Sequence, residues 1–198
     1  RLEASTRGGV QVHEAAGSIW SGSGRATIAT PAGPLALEDL RWRFLPARLL
    51  AGRLAFAVTG RSAGFESRGE LARSLSLWEA RDVSIDGLAA GAASFMPLIA
   101  HWRPDGRLAA SAPLLAWNDR EMRGEARLEW RAAAVALSEV KPLGSYRVDL
   151  KADGAQARVT LSTLEGPLAL AGQGTVSPPA RLVFSGEARA QGPAATAL

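Results

Sequence analysis

The feature that most constrains the fold is an alternation of apolar and polar residues that recurs along most of the chain. In the stretch GEARLEWRA, Ala126, Leu128 and Trp130 share one parity, and every charged residue has the other. A period of two places these two sets of side chains on opposite faces of a β-strand. The same alternation is present in EDLRWRF, GRLAFAVT, SYRVDLKA, QARVTLST and ARLVFSGEARA. Each of these segments is therefore predicted to be a half-buried strand.

The spacing of these segments predicts how they are connected. They number about ten and are separated at short intervals by Gly, Pro or Asp-Gly signals, which favour hairpins over the long crossovers that parallel strands need. The sequence predicts an all-β fold with one long, strongly curved antiparallel sheet of about ten strands, as a half-barrel, a rolled sheet or a sandwich-like arrangement. One short helix is expected near residues 89–100, limited by Pro97. A chain of 198 residues fits a single domain over 1–198.

A sheet built this way has one apolar face and one charged face. It must roll on itself, pack on another sheet, or hold apolar material. The tryptophans fall mostly on the apolar parity, which favours core packing over a carbohydrate or lipid platform. They are Trp20, Trp42, Trp78, Trp102, Trp117 and Trp130.

The composition excludes several classes of function. The net charge is +4, but only Lys141 and Lys151 are lysines, and the arginines alternate with carboxylates instead of forming a basic cluster. No nucleic-acid partner is therefore expected. The chain has no cysteine, and its two histidines, His13 and His101, stand in no metal-ligand spacing. We accordingly expect no metal, no cofactor and no catalytic residue.

Carboxylates are the residues that keep an enzymatic hypothesis open. Asp82 with Asp86, or Glu125 with Glu129, could share one face. Glycan hydrolysis needs two facing carboxylates roughly 5 to 10 Å apart in a cleft. Surface charge on strands explains these residues better, so the chain is predicted not to be an enzyme.

The stretch GSIWSGSG at residues 17–24 places the bulkiest side chain, Trp20, among glycines and serines. Glycine marks turns, bulges or the close approach of another backbone, and an isolated Trp favours burial of its ring. The stretch predicts that Trp20 plugs a corner between Gly17 and Gly22. From these residues alone, that corner is either structural or functional.

The same stretch opens a longer pattern. AAGSIWSGSGRATI is followed by LEDLRWRFLPARLLAGRLAF, and the C-terminal half contains PLGSYRVDLKADG and STLEGPLALAGQGTVSPPARLVFSGEARAQG. Together these stretches resemble the type II secretion system protein N family, from about Val10 to Gly192. The positions taken as its structural motif are Gly17, Trp20, Gly22, Trp42, Gly52, Gly144, Tyr146, Gly166, Pro167, Gly172, Phe184 and Gly186.

The resemblance implies a non-enzymatic accessory of the machine that moves folded proteins from the periplasm across the outer membrane. It implies a periplasmic domain of a Gram-negative inner-membrane protein whose cytoplasmic stub and transmembrane anchor are absent from this sequence. The implied partners are inner-membrane platform proteins and the outer-membrane secretin. It also implies a structural role for Trp20. An alternative is a periplasmic lipid-binding or lipid-transfer module, because the family is similar in pattern to AsmA-like proteins.

An open sheet also has edges at which partners can add a strand. The C-terminal strand has charges at Arg181, Glu187 and Arg189 that are expected to discourage self-pairing, whereas the N-terminal segment has fewer polar guards. The sequence therefore predicts an interaction edge between residues 10 and 19. Its residues are Val10, Val12, His13 and Ile19.

Overall fold

The computed structural model describes residues 10–30, 33–62, 64–92, 101–177 and 181–190, and it is dominated by strands. Strands make up 74% of these residues and helices 6%, which confirms the all-β prediction. There are twelve strands, where about ten were expected. In chain order they are β1 (Val10–Gly17), β2 (Ser21–Thr30), β3 (Gly33–Phe44), β4 (Leu54–Ser62), β5 (Phe65–Arg73), β6 (Trp78–Leu88), β7 (Asp105–Trp117), β8 (Met122–Ala134), β9 (Gly144–Gly154), β10 (Ala157–Glu165), β11 (Leu168–Ser177) and β12 (Arg181–Ala190).

All twelve strands form one open antiparallel sheet in the order of the sequence. Each strand pairs with the strands before and after it, so β1 and β12 are the two edges. Three of the hairpin turns are closed in the same way. The first turn residue, Ser18, Ser74 or Asn118, accepts a side-chain hydrogen bond from the backbone N–H three residues on. Such side-chain turns are the reason why Ser and Asn favour these positions.

Two short helices interrupt the strand pattern. The predicted helix near 89–100 is present as α1 (Ala89–Ala92), and residues 93–100 lie outside the described residues. A 3₁₀ helix at Pro46–Ala51, between β3 and β4, was not predicted. Pro46 occupies the start of this helix, where a missing N–H costs nothing, and Gly52 ends it in the left-handed region at a φ of 68°.

The strand register is interrupted by bulges in six of the eleven strand pairs. Each bulge sets two residues of one strand against one residue of its neighbour, which bends the strand and increases its twist. Bulges of this kind let a long sheet curve, as the sequence predicted.

The sheet buries little of its apolar surface. The chain exposes 13047 Å² to solvent, whereas a compact protein of this length exposes about 8,900 Å². Among the described residues, no large side chain is fully buried, and the buried apolar positions are mostly alanines. The prediction that the tryptophans pack in a core is wrong, because each of them is exposed or half-buried, and the described residues form no second sheet that covers them.

Candidate interaction surface

Trp20 lies in the turn between β1 and β2, and it is not a plug. Its side chain is 52% exposed, and one flank of its ring packs on Phe44 of β3 with ring centroids 4.8 Å apart. Gly17 and Gly22 are directly paired, as a closed corner requires. The corner is therefore real, but Trp20 projects from it instead of filling it.

The ring that Gly22 accommodates is that of Trp42. Trp42 pairs with Gly22 across β2 and β3, and its indole Nε1–H donates to the Ser18 carbonyl at 3.1 Å. A Cβ on Gly22 would lie 2.5 Å from Cζ2 of the Trp42 ring. Glycine is needed here because an aromatic side chain on the next strand lies across its backbone.

The C-terminal motif repeats this arrangement at Phe184. Phe184 of β12 pairs with Gly174, and its ring extends along β11 so that a Cβ on Gly172 would lie 2.5 Å from Cζ. Gly172 in turn pairs with Gly186. At this edge of the sheet, the Phe184 ring therefore lies on the glycine backbone of β11.

A second group of motif residues lies where β9, β10 and β11 begin and end. Tyr146 is 5% exposed, and its hydroxyl donates to the Leu168 carbonyl at 3.0 Å, so it ties β9 to β11 across the intervening strand. Gly144 lies against both the Tyr146 ring and the backbone of Gly166. Pro167 is half-buried in the turn beside them.

One face of the sheet carries a continuous apolar row. Following cross-strand partners from β3 to β12 gives ten positions, none of them polar. The row consists of Phe44, Phe56, Leu71, Ala80, Leu115, Gly124, Ala152, Ala157, Val176 and Leu182. Isolated soluble proteins rarely leave an apolar row of this length uncovered in water, so this row is a candidate interaction surface.

The neighbouring row, on the opposite face, is mostly polar. It consists of Arg43, Ala57, Glu70, Arg81, Leu114, Glu125, Lys151, Arg158, Thr175 and Val183. A depression of about 410 Å³ on this face is lined by charged and small polar residues, which include the ion pairs of Arg41 with Asp39 and of Arg61 with Glu66. The two faces of the sheet therefore differ in chemistry as the alternation predicted.

Of the carboxylates considered for catalysis, Glu129 is the least exposed, at 9%. Arg131 donates to its Oε2 at 2.7 Å and Arg147 donates to its Oε1 at 2.8 Å. These hydrogen bonds, that from Arg131 first, lower the pKa of Glu129, so it stays ionised and is a poor proton donor. Asp86 is likewise paired, with Arg107 at 2.6 Å. Ion pairing across strands accounts for both residues.

The described part of the chain holds no cluster of His, Cys, Asp and Glu that would bind a metal ion. His13 is exposed on β1, and His101 packs edge-on against Trp102 with ring centroids 5.7 Å apart. None of the helices in the described ranges is both long and apolar enough to cross a membrane.

The segment predicted as an interaction edge coincides with an edge of the sheet. Val10, Val12 and His13 lie on β1, which pairs with β2 on one side only. Ile19 does not lie on this strand, because β1 ends at Gly17, and its side chain is exposed in the following turn. Whether partners bind this edge stays a prediction.

The chain was compared with known protein families, curated proteins and solved structures. A family model described as type II secretion system (T2SS), protein N, matches residues 8–198. The chain belongs to this family. No curated protein and no solved structure matches it at a significant level. The resemblance inferred from the sequence motifs is thus confirmed, and the uncovered sheet belongs to an accessory component of the type II secretion machinery.

Sequence reasoning missed the pairing of aromatic rings with glycines of neighbouring strands in this protein N family member. Besides Trp42 and Phe184, Phe65 of β5 lies against Gly87 of β6. The signal was present as glycines within the strand segments, such as Gly22, Gly87 and Gly172. A glycine can be matched to the aromatic ring that lies on it only when the strand register is known, and the turns and bulges determine that register.

Proposed function

We propose that this protein is a non-enzymatic periplasmic scaffold of the type II secretion machinery. Its family membership supports a role in secretion. The observation that carries the scaffold role is the ten-strand apolar row on a face that no second layer covers. A surface of this kind gains free energy when a neighbour covers it, at about 25 cal/mol for each Å² removed from water.

The edges of the sheet supply a second mode of contact. A free edge strand offers unpaired backbone N–H and C=O groups to an incoming strand, which adds specificity through main-chain hydrogen bonds. In this proposal, residues 10–13 of β1 receive a strand from a β-rich neighbour, and the candidates are the inner-membrane platform proteins and the outer-membrane secretin. In this proposal, the domain belongs to a protein that is anchored in the inner membrane.

Crosslinking in the native envelope tests this assignment. A photoreactive residue is placed in turn at positions 10 to 14, with matched probes at exposed positions of the charged face such as Arg158 and Thr160. Capture of a platform protein or the secretin from β1, and not from the charged face, is the expected result. Robust capture from the charged face with none from β1 would exclude this edge.

The uncovered apolar row also favours a second candidate, a lipid-binding or lipid-transfer module. Acyl chains would cover the row as well as a protein would, since apolar burial is not directional. Copurification of the anchored protein from its envelope, with both proteins and lipids identified, separates the two. Stoichiometric phospholipid without secretion components supports lipid binding, and the reverse result supports the scaffold.

A further inference from the structure

The C-terminal edge strand β12 carries the charges of Arg181, Glu187 and Arg189, but it has no bulge to interrupt strand pairing. It pairs with β11 through ten consecutive positions, from Leu168 with Ala190 to Ser177 with Arg181, and no bulge interrupts them. All ten residues of β12 are exposed. Leu182 is 59% exposed and Phe184 is 42% exposed. A regular, apolar, exposed edge strand is a template for another strand.

The other edge is better protected against regular pairing. β1 has a register shift between His13 and Ala16, and Glu14 within it adopts a positive φ of 52°. Glu14 also forms an ion pair with Arg25 at 3.1 Å. Bulges are standard guards of sheet edges. Because β12 has no bulge, it is the edge suited to a long, uninterrupted pairing.

We propose that β12 pairs antiparallel with β12 of a second copy of this chain, with Phe184 on the two-fold axis. Symmetry limits the choice of register. Two identical antiparallel strands related by a two-fold axis perpendicular to the sheet place one residue opposite itself. Directly opposed side chains point to the same face, so the apolar faces of the two copies lie on the same side.

Charge selects among the symmetric registers that pair at least seven residues of each β12, which are those with residues 184 to 187 on the axis. With Glu187 on the axis, two carboxylates would face each other, which is repulsive. With Phe184 on the axis, Arg181 of each copy faces Glu187 of the other, which forms two opposite-charge pairs. With Ser185 on the axis, Arg181 would face Arg189, which is repulsive. With Gly186 on the axis, neither acidic nor basic residue of the strand meets an opposite charge. Glu187 already accepts from Arg189 of its own strand at 2.8 Å, and a carboxylate accommodates a second arginine.

The apolar row of each copy also continues across this junction. Leu182, the last residue of the ten-strand row, would face Gly186 of the second copy. Gly186 pairs with Gly172, and that row continues through Leu161 and Val148. The dimer therefore joins two apolar faces into one surface that carries no charge. The charges of β12 lie on the opposite face, where they promote this pairing instead of opposing it.

A single engineered cysteine tests the register directly, because the chain contains no cysteine. In the Phe184→Cys variant, the two thiols would lie opposite each other with Cα atoms about 5 Å apart, within disulfide reach. The Leu182→Cys variant is the matched control, because its two thiols would be separated by four residues of strand, about 13 Å. We expect an intermolecular disulfide in the first variant and little in the second under mild oxidation.

Charge reversal tests the same register without removing the aromatic ring. Glu187→Arg would place like charges opposite each other twice and raise the dimer Kd about tenfold. The double variant Arg181→Glu with Glu187→Arg restores both opposite-charge pairs and should restore the Kd. Analytical ultracentrifugation measures the association, and far-ultraviolet circular dichroism verifies the fold of these exposed-site variants.

Equal disulfide formation by the Leu182→Cys and Phe184→Cys variants, or a double charge variant that associates as weakly as the single one, would overturn this register. A monomer at all concentrations, with no disulfide from the Phe184→Cys variant, would overturn the pairing itself. These results leave the secretion role untouched, because the envelope crosslinking from β1 measures it independently.

Discussion

At the scale of single residues, the N-terminal motif separates two tryptophans with different roles. Trp42 lies across Gly22 and donates to the Ser18 carbonyl, whereas Trp20 projects from the adjacent turn with half of its surface in water. The cost of truncating a side chain scales with the apolar contact that is lost. The two residues are therefore expected to differ in their effect on stability.

We predict that Trp42→Ala lowers the free energy of unfolding by about 3 kcal/mol and Trp20→Ala by about 1 kcal/mol. Trp42 loses its contact with the Gly22 backbone and its hydrogen bond, while Trp20 loses mainly its contact with Phe44. Urea unfolding followed by circular dichroism measures both changes. Equal costs would show that Trp20 is the structural residue after all.

The glycine beneath Trp42 gives a second prediction. Gly22→Ala should destabilise the protein by about 1–3 kcal/mol, because its Cβ would lie 2.5 Å from the Trp42 ring and 2.6 Å from the Ala16 carbonyl. Gly60→Ala is the control, since its nearest neighbour is the Ser67 hydroxyl at 3.3 Å. Thermal denaturation compares the two variants. A Gly60 variant as unstable as the Gly22 variant would mean that loss of glycine, and not the ring, matters.

At the scale of elements, individual side chains strengthen the connections between neighbouring strands. Glu129 of β8 is held by Arg147 of β9 and by Arg131 of its own strand. Glu79 of β6 accepts from Arg81 of its own strand and from Arg53, which precedes β4, so this contact reaches across β5. Each carboxylate lies at the charged face and accepts from two guanidinium groups, which are strong hydrogen-bond donors.

These contacts predict an acid-dependent loss of stability. The pKa of Glu129 is lowered below its ordinary value of 4.5, so its contribution is fully present above that pH and is lost as the pH falls through the folded-state pKa. Glu129→Gln should reduce the stability at pH 7 by about 1–2 kcal/mol and flatten its slope below pH 4.5. Glu66→Gln, at the exposed pair with Arg61, is the control. Parallel pH profiles for wild type and Glu129→Gln would contradict the assignment.

Tyr146 offers a spectroscopic test of the contact between β9 and β11. It is the only tyrosine of the chain, so tyrosinate absorbance reports on it alone. Burial raises its pKa above 10.0, so its titration should begin at higher pH than in the unfolded chain. The stability associated with this residue is full below pH 10.0 and lost as the pH rises through the folded-state pKa. If Tyr146 instead titrates in the folded protein over the same pH range as in the unfolded chain, its ring is open to water.

At the scale of the whole molecule, the part of the chain that the structure describes forms a single-layered sheet with one uncovered apolar face. We predict that the folded protein enhances the fluorescence of a hydrophobic dye such as anilinonaphthalene sulfonate while it keeps a near-ultraviolet circular dichroism signal. In a molten state the dye would bind but that signal would be lost. The absence of dye binding by the folded monomer would show that the apolar row is covered.

The sequence was sufficient for the fold class because the alternation that defines each strand is local. Ala126, Leu128 and Trp130 do share a face, as their parity indicated. The absence of a second layer could not be derived, because alternation says which face is apolar and not what covers it. The 3₁₀ helix at Pro46–Ala51 was missed since its leucines resemble the start of a strand. Which aromatic ring lies against a given glycine depends on the strand register, and each bulge shifts that register by one residue.

The strand order has a consequence for how the molecule tolerates change in length. Because every strand pairs only with its sequence neighbours, the sheet behaves as a one-dimensional array of hairpins in which each unit depends mainly on the adjacent units. A hairpin could be inserted or deleted within such an array without rethreading any other part of the chain. Related proteins could therefore differ in span by whole hairpins, and adjust their reach in steps of about 10 Å, while they keep the same two faces.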